Sequence, residues 1–164
     1  HEDFVQKLQR MLASHPSVPS FALELEIVET SALQDITQVS ALMHACAELG
    51  VRFALDDFGT GYSSLTYLKK LPAELLKIDQ SFVRDMLEDR DDLAIVEGVI
   101  GLSRAFNRKV IAEGVETVAH GRMLLSLGCT LGQGYGIARP MPAADLPRWL
   151  SQWQAQQPWA KRLG

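Results

Sequence analysis

No stretch of this 164-residue chain approaches the ~18 consecutive apolar residues of a membrane span; the best candidate, Leu93 to Leu102, is interrupted by Glu97. No basic-then-apolar leader opens the chain, so nothing in it directs secretion. Basic residues are in the minority, with 16 Lys and Arg against 20 Asp and Glu, and the net charge of −4 argues against a binder of DNA or RNA duplexes, which is usually basic. Cysteine is scarce. Cys46 and Cys129 lie far apart and form no CxxC pair, so a reducing, cytoplasmic compartment is expected. The histidines at positions 1, 15, 44 and 120 show no HxxxH spacing. Ser63-Ser64 lies outside any G-x-S-x-G elbow. Low-complexity segments and internal linkers are absent as well.

What is present is ordinary for a globular protein: 47% apolar and 22% charged residues. The length suits one domain that buries roughly 70% of its unfolded surface. It falls short of the ~250 residues typical of a complete (β/α)8 barrel.

Hydrophobic periodicity organises the chain into a helix followed by five strand–helix units. The helix spans Glu2 to Ser14, with Phe4, Val5, Leu8, Met11 and Leu12 at helical spacing. Pro16 and Pro19 break it. Strands are expected over Phe21 to Ile27, Val51 to Leu55, Leu75 to Ile78, Val110 to Ala112 and around Leu131. Helices are expected over Gln34 to Leu49, about Ser63 to Leu71, Leu93 to Phe106, Thr117 to Leu127 and Ala143 to Trp153. Trp149 and Trp153, four apart, share a face of the last helix. The charged run Glu88 to Asp92 reads as a solvated loop and helix N-terminus. Residues 154–164 form a tail without strong periodicity. Such alternation indicates a parallel sheet covered by helices. A (β/α) barrel and an open doubly wound sheet fit it equally.

The polar residues fall in a telling place. The strands end near Glu26, Asp56-Asp57, Asp79, Glu113 and Gln133, and Lys77 sits within its strand. Strand C-terminal ends form the active-site face of parallel α/β folds. One Asp after a strand is explained by helix capping. Glu26, Asp56, Asp57 and Glu113 together exceed what capping needs. Acids gathered there repel one another unless a cation intervenes, and Mg²⁺ or Mn²⁺ is the natural partner of carboxylate oxygens. The adjacent pair Asp56-Asp57 can reach two metals, because neighbouring strand side chains diverge. The glycines of Asp56 to Leu65 (DDFGTGYSSL) permit strained turns near a ligand. The third glycine of a dinucleotide loop is absent there. Lys77 has two readings: a desolvated Schiff-base nucleophile, as in an aldolase, or a charged electrostatic group, which neighbouring carboxylates favour.

At these residues the sequence resembles the EAL domain family of cyclic-di-GMP phosphodiesterases. The resemblance rests on five ordered motifs: Glu26 to Thr30 (EIVET), Asp56 to Leu65, Leu76 to Asp79 (LKID), Val110 to Thr117 (VIAEGVET), and Gln133-Gly134-Tyr135 followed by Arg139-Pro140. It implies a TIM-type (β/α) barrel of which about five of the eight strand–helix units are present, with residues 1–153 as the later part of the domain. It implies hydrolysis of cyclic-di-GMP to the linear dinucleotide pGpG with two divalent ions, Mg²⁺ or Mn²⁺. Glu26, Asp56 and Asp57 are implied as metal ligands, and Glu113 as a metal or water contact and base. Lys77 and Gln133 are implied as holding the attacking water or a metal-bound water. Glu29 is implied to brace the loop that begins at Asp57, and the 57–65 region to form a homodimer. Arg139 and Pro140 are implied substrate contacts, while Asp79 and Glu116 belong to the motifs without an assigned role.

The chain also departs from the family pattern. Val28 stands where Thr is common, and Thr130 where an acidic residue is common. The Glu-Ala-Leu motif of the first strand and a metal-binding Asn on a later strand are not found. Three barrel strands are therefore expected on the N-terminal side of the segment, and the isolated chain is expected to be inactive. The alternative function is a non-catalytic cyclic-di-GMP receptor or regulatory module. No membrane contact is expected of this chain, although a parent protein could be anchored through other domains.

Overall fold

The computed structural model describes residues 2–28, 35–60 and 65–156. The first helix, α1 (Glu2–Ser14), is followed by a short 3-10 turn at Ser20–Ala22. The strands are β1 (Glu24–Val28), β2 (Arg52–Phe58), β3 (Leu75–Ile78), β4 (Lys109–Ala112) and β5 (Leu131–Gly132). The remaining helices are α2 (Ile36–Glu48), α3 (Leu65–Lys70), α4 (Gln80–Asp85), α5 (Arg90–Ala105), α6 (Val118–Leu127) and α7 (Leu146–Gln156).

Every strand pairs in parallel with the next in sequence, giving the order β1-β2-β3-β4-β5. This order separates the two architectures that periodicity left open. A doubly wound sheet reverses direction at a switch point. Here the order never reverses, and right-handed crossovers then place every connecting helix on the same side of the sheet. That is the winding of a barrel wall. Among the described residues β1 pairs only with β2 and β5 only with β4, so the wall is an arc with two free edges.

Register sorts the side chains into two layers. Ile27, Leu55, Leu76 and Val110 lie in one row, and Leu25, Phe53 and the Ile78–Ala112 pair belong to the same face. This is the helix side, where Phe53, Leu55, Leu76, Ile78 and Ala112 are buried against Met43, Cys46, Leu68, Val83, Val96 and Ile100. Burying one such Leu or Ile side chain contributes ~1.5–3 kcal/mol. The other face carries Glu24, Glu26 and Val28, then Arg52 and Ala54, Leu75 and Lys77, Lys109 and Ile111, and Leu131. Val28 and Leu131, at its two edges, are 39% and 43% exposed.

Several boundaries differ from the sequence reading, among them β2, which runs on to Phe58, and α7, which begins at Leu146 and extends to Gln156 into the expected tail. The 3-10 turn after Pro19 delays the first strand to Glu24, where the acidic–apolar alternation begins. Helix α5 starts at Arg90 rather than Leu93, because Asp89 accepts hydrogen bonds from the backbone N–H groups of Asp91 and Asp92. The short helix α4 was not anticipated. Its six residues are too few to show a period.

Candidate metal and catalytic site

The strand ends converge on one amine. Lys77 Nζ on β3 lies 2.9 Å from Glu26 Oε1 on β1, 2.8 Å from Asp56 Oδ1 on β2 and 2.9 Å from Glu113 Oε1 just beyond β4. An ammonium offers three donors, and three carboxylates from separate elements take them. The Lys77 side chain is only 7% exposed. Burial by itself would push the ammonium pKa down. The hydrogen bonds to Asp56, Glu113 and Glu26 outweigh it, and Lys77 is held above the ordinary lysine value. A Schiff-base nucleophile needs a neutral amine, so this geometry supports the electrostatic reading of Lys77.

Asp56 and Asp57 reach the same space through an irregularity in β2. The β2–β3 register shifts between Leu55 and Phe58, and Asp57 takes a left-handed conformation with φ 53°. A strand residue in that conformation marks a β-bulge, in which one extra residue re-aims its neighbours. Regular alternation would send the Asp57 side chain to the helix side. The bulge instead keeps both acids at the site and returns Phe58 to the core, 3% exposed. Oxygens of Asp56, Asp57 and Glu113 lie within 4.8 Å of one another. The divergence expected of adjacent strand residues is thus replaced by convergence.

Local bonds fix this turn. The Asp57 N–H donates to Asp56 Oδ1 at 3.1 Å. The Thr60 N–H and hydroxyl donate to the Asp57 carbonyl at 3.3 and 2.9 Å. Burial, the charge of Asp56 and a hydrogen bond with Asp79 push the Asp57 carboxyl pKa up. A cation relieves such mutual opposition of acids. All the donors are carboxylate oxygens, a set that fits Mg²⁺ or Mn²⁺.

Asp79 has a different job. It accepts a hydrogen bond from Ser81 N at 2.9 Å and another from the Ser81 hydroxyl, capping α4. Burial opposes its ionisation, but these bonds, with those from Asp57 and the Gln80 N–H, hold its pKa below the usual carboxylate value. The capping explanation therefore applies to Asp79, whereas Glu26, Asp56 and Glu113 are engaged with Lys77.

Gln133 follows β5. Its N–H donates to the Ala112 carbonyl at 2.8 Å, and its own carbonyl accepts from Val115 N at 3.0 Å. It lines a cavity of about 360 Å³ together with Glu113, Glu116, Gln80 and Tyr135. Gly134 permits this approach, since a Cβ there would lie 2.3 Å from Val115 N. Arg139 stacks its guanidinium 4.5 Å over the Tyr135 ring, so it joins the cavity wall through Tyr135. Pro140 is exposed beside it. Glu29, the expected brace, and residues 61–64 of the expected dimer loop lie outside the described residues. Sequence reasoning assigned nothing to Gln80, Ser81 or the Tyr135 ring. The Asp-x-Ser order at 79–81, a cap signature, was the available signal for Ser81. A cavity of similar size lies at the opposite end of the sheet, lined by Arg104, Arg108 and Lys109. The acid cluster around Lys77 lies at the other end of the strands.

Known proteins are similar to this chain in sequence and fold. A family model described as "EAL domain" matches residues 1–140. The bifunctional diguanylate cyclase/cyclic di-GMP phosphodiesterase MucR of Pseudomonas aeruginosa is 43% identical over 146 residues, which are 89% of this chain and 21% of MucR. A solved MucR phosphodiesterase in complex with c-di-GMP superposes with a TM-score of 0.84, at 43% identity, covering 89% of this chain and 59% of that one. The EAL domain of Mycobacterium smegmatis DcpA gives a TM-score of 0.82 at 38% identity, covering 91% and 66%. Klebsiella pneumoniae BlrP1, in a manganese/cy-diGMP complex, gives 0.78 at 32% identity, covering 85% and 36%. The chain spans about a fifth of the length of the first curated relatives it matches.

Proposed function

The chain belongs to the EAL domain family, and from that premise we propose that it is the later-strand part of a metal-dependent cyclic-di-GMP phosphodiesterase that releases the linear dinucleotide pGpG. The observation that carries this reading is the convergence of Glu26, Asp56 and Glu113 on Lys77, with Asp57 turned into the same cluster. The manganese/cy-diGMP complex of the similar BlrP1 supports the choice of ion and substrate.

Asp56, Asp57, Glu113 and Glu26 are the residues to hold two divalent cations. Bound there, such ions supply Lewis-acid charge for an in-line displacement at phosphorus. The chain's own side chains do the remaining work. Lys77 keeps the carboxylates at fixed separations and offsets their repulsion. Gln133, which lines the same cavity as Glu113, orients the attacking water, and Glu113 Oε takes its proton. The water oxygen bonds to phosphorus and one ring P–O bond breaks; the leaving oxygen takes a proton from solvent, so one nucleoside keeps a phosphate and the other a hydroxyl. Arg139 and Tyr135 form the outer wall, where a nucleobase can stack.

The site is completed by strands that precede residue 1 in the longer protein, which also cover the free edge of β1. The 164-residue chain alone is expected to turn over negligibly, since an open parallel sheet exposes both edges. In the whole protein the 57–65 region serves a homodimer and the domain works in the cytoplasm. No helix among the described residues is long and apolar enough to cross a membrane.

The test is chromatographic detection of pGpG after incubating the full-length protein with cyclic-di-GMP and Mn²⁺, against an EDTA control. Metal-dependent cleavage supports the reading. Equal binding of cyclic-di-GMP with and without metal, and no cleavage, supports the receptor alternative.

A further inference from the structure

Three cations share the cavity at the end of the sheet away from the acids. Arg104 sits in the last turn of α5, Arg108 in the turn that follows, and Lys109 at the start of β4. The cavity they line holds about 360 Å³. Among the described residues no carboxylate lines it, and none of the three cations pairs with one. Glu74 comes close along the backbone, where its carbonyl accepts from Lys109 N at 2.9 Å, but its carboxylate turns to Arg52 at 4.0 Å.

Helix ends account for only part of this positive charge. Arg104 Nη2 donates to the Leu127 carbonyl at the end of α6, and Arg108 donates to carbonyls at the end of α3. Each helix C-terminus carries about half a negative charge, so the two ends balance about one of the three cations. The Leu127 bond takes one of the five N–H donors of the Arg104 guanidinium. Gly128 leaves room for that group, since a Cβ there would stand 3.2 Å from Arg104 Cζ. The Lys109 ammonium and the Thr130 hydroxyl, both on the cavity wall, have no described partner. Uncompensated charge of one sign in a concave site draws the opposite sign. A fork of N–H groups, an ammonium and a hydroxyl match the oxygens of a phosphate. Small-molecule pockets run from ~300 to 1,000 Å³, so this one has space beside a phosphate, over the side chains of Ile100 and Val110.

We propose that this cavity is a binding site for a phosphate group, either the free ion or the head of a small phosphate ester. Arg104 and Lys109 hold the phosphate oxygens, Thr130 donates its hydroxyl, and Arg108 adds charge while it keeps its carbonyls. An ester would lay its organic part on Ile100 and Val110. The site is separate from the acid cluster around Lys77, and it stands or falls independently of the catalytic reading.

The experiment titrates inorganic phosphate and phenyl phosphate into metal-free full-length protein by calorimetry, at constant ionic strength set with chloride. It compares wild type with Lys109→Gln, Thr130→Asp and Thr130→Asn. None of these substitutions removes a hydrogen bond to a described residue, so melting temperatures without phosphate are expected to match wild type. Losing a hydrogen bond to a charged group is expected to weaken phosphate binding about tenfold in Lys109→Gln. Thr130→Asp, which puts a carboxylate on the wall, is expected to weaken it by about tenfold or more. Thr130→Asn, neutral and able to donate, is expected within about threefold of wild type. A stronger response to phenyl phosphate identifies an ester as the source and a stronger response to inorganic phosphate the free ion; either supports the site. No saturable binding of either probe by wild type overturns the proposal. Binding that is equal in wild type, Lys109→Gln and Thr130→Asp places the phosphate elsewhere in the protein and also overturns it. If Thr130→Asp does not fold, wild-type affinity in Lys109→Gln is the overturning result.

Discussion

Lys77 and Asp56 stand on adjacent parallel strands with Nζ 2.8 Å from Oδ1, and the same nitrogen reaches Glu26 and Glu113. One cation on the inner face of β3 therefore links acids from both sides of its strand. This is an economical way to gather carboxylates that otherwise repel, and it makes Lys77 the residue on which the cluster's stability depends.

Replacing Lys77 by Met is expected to leave three carboxylates facing one another. Removing one partner of a buried ion pair costs ~3–5 kcal/mol, and the half-exposed Glu26 places this site toward the lower figure. Thermal melts of the full-length protein check it. Millimolar Mn²⁺ is expected to recover part of the lost melting temperature in the variant, because the ion then neutralises the acids that Lys77 no longer does.

The pH dependence of that stabilisation follows from the shift of Lys77. Burial alone would lower its pKa, but the three carboxylates raise it overall. A folded value above the unfolded one means that the folded state holds the proton more tightly. The contribution is fully present below the unfolded value of ~10.4 and fades as pH rises through the folded one. In metal-free protein, the stability gap between wild type and Lys77→Met is expected to be constant between about pH 6 and 9 and to narrow above ~10.4. Denaturant titrations at several pH values measure it.

Arg108 carries a structural load at the opposite end of the sheet. Its guanidinium donates to the carbonyls of Leu68 at 3.3 Å, Leu71 at 3.2 Å and Ala73, closing the C-terminal end of α3 and the turn into β3. Buried carbonyls left without a donor cost ~1–3 kcal/mol. Arg108→Ala is expected to lower the melting temperature by that order, with turnover per folded molecule unchanged at a permissive temperature.

Gly134 lets the segment after β5 lie against the backbone of Val115. In Gly134→Ala the added methyl has no space, and overpacking of this kind costs ~1–3 kcal/mol. Gln133 is then expected to retreat from Glu113. The variant should lose kcat at temperatures where circular dichroism still shows a folded protein.

Much of this was legible in the residues. The acids at strand ends and the amphipathic helices are local patterns, and they reappear as Asp56, Glu113, α5 and α6. Sheet order was not legible, because periodicity reports which residues face a core and not which strands are neighbours. The bulge at Asp57 was hidden for a related reason. A regular strand places Asp56 and Asp57 on opposite faces, and only the β2–β3 pairing reveals the extra residue. Helix α4 was hidden by its shortness, which also concealed how Ser81 caps onto Asp79.

The most direct measurement is single-turnover conversion of cyclic-di-GMP by the full-length protein, comparing wild type with Asp56→Asn at equal Mn²⁺. Asp56 joins Lys77 and Asp57 to the cluster, so its loss removes a ligand charge and one of the acids that Lys77 holds. The account predicts linear pGpG from wild type with Mn²⁺, none in EDTA, and a rate at least a hundredfold lower in Asp56→Asn, about 2.7 kcal/mol in barrier. Equal rates in the two proteins, or cleavage by wild type that persists in EDTA, would contradict it.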